Sequence, residues 1–149
     1  MNRMILLSIM LMCSVPVFAE SLVPHAIICD NREDLDVLEM ENLRGKDGAE
    51  IFKRVKSSID FNEQYLKMAN RMKGVALSGS MPSLKSDITH AEDENKRLKK
   101  FSENCMETAE LEEPASIVEA KAIAGVVKVR AMVKGISAET WTKNEFVKK

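Results

Sequence analysis

"PASIVEAKAIAGVVKVRAMVKG" (residues 114–135) is the stretch whose reading decides the fold class. It is apolar almost all round. Pro114 suits the first position of a helix and Gly135 the residue that ends one. Glu119, Lys121, Lys128 and Arg130 make it a poor bilayer span. A competing reading exists for "GVVKVRAMV" (125–133), whose β-branched residues and partial alternation suit a strand. A lone strand needs a partner, and no second good one stands out. The expectation is therefore a central helix over 114–135 in an all-α domain of four to five helices.

Working outward toward the C-terminus, Ser137 is placed to cap a last short helix over 138–147, carrying Trp141 and Phe146. Trp141 is the only tryptophan and reads as a core anchor. On the other side, Pro82 and Ser83 start a long third helix that Glu113 and Pro114 end. Its inner positions are 84, 88, 91, 95, 98, 105 and 109, held by Leu, Ile, Ala, Asn, Leu, Cys and Ala. That spacing resembles a coiled-coil seam, with Asn95 as the polar residue that sets register. The outer run "HAEDENKRLKK" (90–100) is a solvated charged face.

Before it, "GVALSGSMPS" (74–83) is a loop rich in small residues. A second helix precedes the loop. Asp47 and Glu50 have the spacing of a capping box, and the helix runs to Lys73, where Gly74 stops it. It carries two apolar stripes: Phe52, Val55, Ile59, Leu66 and Ala69 in one, and Phe61, Tyr65, Met68 and Met72 in the other. Two stripes imply contact with more than one partner. Asn62 falls inside the apolar arc and needs a hydrogen-bond partner. A first helix is expected over 32–44, capped by Asn31 and broken by "GKDG" (45–48), after an extended lead "ESLVPHAIICD" (20–30).

The chain opens "MNRMILLSIMLMCSVPVFAES". Arg3, the apolar run from Met4 to Met12, and Val17 and Ala19 before a cut have the form of a secretory signal peptide over 1–19. The run is too short for a span. Removing 19 of the 149 residues leaves 130, one domain over 20–149. It also leaves two cysteines, Cys29 and Cys105, which in an oxidising compartment pair as a disulfide. The expected location is the bacterial periplasm, or outside the cell. No Asn-x-Ser/Thr site occurs, which favours the bacterial route.

Net charge is −1 for the whole chain, so neither nucleic acid nor an anionic membrane surface is an expected partner. His25 and His90 are the only histidines, and neither sits in a nucleophile motif. There is no glycine-rich phosphate loop, and aromatic content is 5%, thin for a sugar cleft. The chain reads as a non-enzyme with no cofactor and no metal site.

The function expected is binding another protein, as a chaperone, inhibitor or immunity-type factor. In size, class and compartment the expected molecule is similar in kind to small periplasmic proteins of those sorts. Candidate contact residues are Tyr65, Met68 and Met72, with Leu77 and Met81 in the loop: flexible apolar groups left over once the main seam is buried. One alternative is a haem- or copper-binding bundle using Met68, Met72 and His90. Another is a structural subunit of an envelope assembly.

Overall fold

The computed structural model describes residues 21–75, 82–111, 113–123 and 125–148. Its architecture is not an all-α bundle of four to five helices. A five-stranded antiparallel sheet carries a pair of long helices. In chain order the elements are β1 (Ile27–Cys29), α1 (Gly48–Val75), α2 (Pro82–Asn104), β2 (Cys105–Glu107), β3 (Ser116–Ile123), β4 (Val126–Val133) and β5 (Ile136–Lys143). The strand order is β2-β1-β5-β4-β3.

The expected central helix over 114–135 is β3 and β4, paired antiparallel with irregular register. The partner that a lone strand lacked is β5. Lys134 and Gly135 both take positive φ, 51° and 76°, and join β4 to β5 through a two-residue turn. Such turns demand left-handed backbone at both positions and match the twist of the flanking strands. Gly135 is thus a hairpin residue and not a helix cap. The expected last helix over 138–147 is mostly β5, with one 3-10 turn at Asn144–Phe146. The third helix ends at Asn104, and the chain runs straight on into β2, so Cys105 lies in a strand. Ala109 sits in an exposed 3-10 turn, off the seam. The expected first helix over 32–44 is two 3-10 segments, Arg32–Glu39 and Glu41–Leu43.

The sheet buries both faces. On one, Ile28, Val127, Val129 and Ala131 pack with Leu22, Leu111, Ile117 and Val147. Two buried threonines lie opposite these valines on β5, Thr140 beside Val129 and Thr142 beside Val127. Thr142 Oγ1 donates to the Ile27 carbonyl at 2.6 Å. On the other face, Ile27 and Cys29 meet Leu35, Leu38 and Leu43 of the 3-10 segments and Ile51, Val55, Leu98 and Phe101 of the helix pair. Phe52 and Phe101 stack at 5.4 Å between centroids.

Two devices tie the base of the helix pair to the sheet. Cys29 and Cys105 are direct cross-strand partners of β1 and β2 and are bonded, which bears out the expected disulfide. The N–H of Gly48, first residue of α1, donates to the His25 carbonyl at 2.9 Å. The lead also stitches the sheet: Ser21 bridges Ser116 of β3, and Leu22 bridges Val147 beyond β5.

Candidate docking surface

α1 begins where sequence chemistry places it. The Glu50 N–H donates to Asp47 Oδ1 at 3.2 Å, the side-chain half of an N-cap. At 1.5 Å per residue its 28 residues extend about 42 Å. The core reaches up the helix pair only to Ile59 on α1 and Leu98 on α2. Beyond that level Ala69, Ile88 and Ala91 are buried but belong to neither core cluster. The outer half of the pair is a two-helix arm.

Two asparagines lie in the seam of this arm. Asn62 is buried and its Nδ2 donates to Glu94 at 3.3 Å. Asn95 is buried and its Oδ1 has no partner among the described residues. An orphaned acceptor costs stability, so the seam is specific but weak. Lys99 and Glu63 close it at 2.7 Å. The hydrogen bond from Lys99, and then its charge, hold the Glu63 carboxyl below its usual range, with a smaller contribution from Lys67.

About a quarter turn of α1 away from this seam, Phe61, Tyr65, Met68 and Met72 form a row at intervals of 4, 3 and 4 residues. Phe61 is 69% exposed, Met68 57% and Met72 52%; Tyr65 is half-buried. Such spacing is what a helix offers to a second helix. Large apolar side chains grouped in one row differ from the scattered exposed leucines of any surface. Of the expected contact residues, Tyr65, Met68 and Met72 therefore share one face. Leu77 and Met81 lie outside the described residues. Phe61 is the most exposed member and was not among the expected contacts, although its place in the stripe was readable from the period.

The other groups with chemical potential are separate. His25 Nδ1 lies 3.0 Å from Glu107 Oε2 at the base of the sheet. His90 is exposed on α2, 3.9 Å from Glu94, a turn away on its own helix. Trp141 is half-buried on β5, with Lys128 over its ring at 5.8 Å. Lys128 also pairs with Glu139; that hydrogen bond and charge, with Arg130 adding, hold the Glu139 carboxyl low. Among the described residues no three His, Cys, Asp or Glu side chains group as metal ligands, and no helix is long and apolar enough to cross a membrane.

No family model, curated protein or solved structure matches the chain.

Proposed function

We propose that this is an exported, non-enzymatic protein that works by binding a protein partner through the outer face of its helical arm. One observation carries the reading: Phe61, Tyr65, Met68 and Met72 stand in a coiled-coil row on the arm, and three of them are more than half exposed. Burying such a row removes apolar area from water at about 25 cal/mol per Å². It docks an amphipathic helix by the helix-in-groove mode. The disulfide supports an oxidising compartment.

The test is site-specific photocrosslinking in the native host, with a crosslinking residue at Met68 and a control at Lys134 on the exposed β4–β5 turn. The reading expects a discrete adduct from position 68, lost when Phe61 is also changed to Ser, and none from position 134. No adduct at 68, or the same adducts from both positions, overturns it.

A further inference from the structure

We propose that the occupant of this face is a second copy of the chain, with the two α1 helices packed antiparallel about a two-fold axis between Tyr65 and Met68. The proposal rests on the docking reading above and names its partner.

The row is complementary to itself. An axis between Tyr65 and Met68 sets Phe61 of one copy against Met72 of the other, and Tyr65 against Met68. Each aromatic then meets a methionine, whose flexible thioether packs well on a ring. An interface of this kind uses the same patch from both subunits, as two-fold dimers require.

The flanking charges choose the direction. One flank of the row lies against α2. The other carries Asp60 and Arg71, both exposed. Neither has an ion-pair partner within 4.0 Å among the described residues. A parallel two-fold pairing sets this flank against the partner's α2 flank, so Asp60 and Arg71 meet neither each other nor their own copies. The antiparallel pairing sets Asp60 of each copy beside Arg71 of the other, twice per dimer. Lys67, near the axis, is already close to the Glu63 carboxylate of its own helix. Polar flanks of this kind set orientation in paired helices.

The arm's length permits the contact. The core reaches up α1 to Ile59. In the antiparallel overlay the two Ile59 residues lie about 22 Å apart along the common axis. The two sheets stand at opposite ends and the arms overlap between them, as a four-helix array of α1, α2 and their copies.

The experiment is sedimentation velocity on the mature, disulfide-bonded chain across micromolar concentrations. Wild type is expected to form a dimer. Asp60→Arg alone and Arg71→Asp alone each place like charges together at two points and weaken the dimer about tenfold. The double variant Asp60→Arg with Arg71→Asp restores it. These positions are exposed, and circular dichroism of each variant confirms the fold. A wild-type monomer overturns the proposal, as does a dimer indifferent to the single reversals or not rescued by the double. A monomer whose Met68 still crosslinks to a different protein sinks the second copy and leaves the docking reading standing. A monomer with no adduct at Met68 sinks both.

Discussion

Asn104, the last residue of α2, donates its side-chain amide to the buried carboxylate of Asp34 at 2.9 Å, across 70 residues of chain. Asn31 donates to the same oxygen at 3.2 Å, and Lys100 Nζ lies 3.0 Å from the other. Burial alone raises the pKa of Asp34. The hydrogen bonds from Asn104, Lys100 and Asn31, with the charge of Lys100, outweigh it and hold the carboxyl below its ordinary value of 3.8. This carboxylate locks the 3-10 segment before the arm to the end of α2.

The lock has a pH signature. A carboxyl whose folded pKa is depressed adds stability that is fully present above its unfolded pKa, and that stability is lost as pH falls through the folded value. For Asp34 the loss begins below about pH 4. Asp34→Ala leaves Asn104 and Asn31 without their acceptor and should cost about 2–3 kcal/mol at neutral pH. Urea melts at pH 7 and pH 3 check both points. The gap between wild type and Asp34→Ala should narrow in acid; a gap independent of pH contradicts this account.

Gly48 is the tightest point of the arm's base. A Cβ there would lie 2.2 Å from the His25 carbonyl oxygen and 3.0 Å from Ile27 Cγ1. The oxygen is backbone and accepts the Gly48 N–H, so it has nowhere to move. Gly48→Ala should cost about 2–3 kcal/mol despite alanine's better helix propensity. Gly45→Ala is the comparison, since its Cβ meets nothing nearer than Ile51 Cγ1 at 3.7 Å. It should change stability by less than about 0.5 kcal/mol. Equal melting temperatures for the two variants would refute the close approach.

Asn95 trades stability for specificity within the arm. Replacing it by Leu removes a buried acceptor that has no partner and should stabilise the protein by about 1 kcal/mol, or about 3 °C in Tm. Asn95→Asp keeps the shape, buries a charge and should lower Tm. Differential scanning calorimetry gives the sign of each. A lower Tm for the leucine variant would mean that the seam needs the amide.

The helices and the cysteine pair were legible because each rests on a strong local or arithmetical signal. Asp47 with Glu50 marked the start of α1, and two thiols admit one pairing. The sheet was hidden for physical reasons. The inward positions of β5 are held by Thr140 and Thr142, which look polar in a sequence and are buried in the structure. Thr142 tolerates this because its hydroxyl reaches the Ile27 carbonyl, a contact 115 residues away in the chain. With β5 unseen, β4 had no partner, and Gly135 passed for a helix cap. The expected first helix is replaced by a tighter one, 3-10 segments on which Leu35, Leu38 and Leu43 are buried. Phe61 was placed in the second apolar stripe of the helix but not among the contact residues. With strands in place of further helices, nothing in the core covers it.

The bridge between Leu22 and Val147 has a consequence for the order of assembly. Residue 147 follows residue 22 by 125 positions in the chain. The Val23 N–H likewise waits for the Phe146 carbonyl, which it reaches at 2.7 Å. Until then the nascent polypeptide can wind its hairpin of helices, but this seam stays unzipped. Closure of this seam is therefore a late, long-range step that waits for residues 146 and 147.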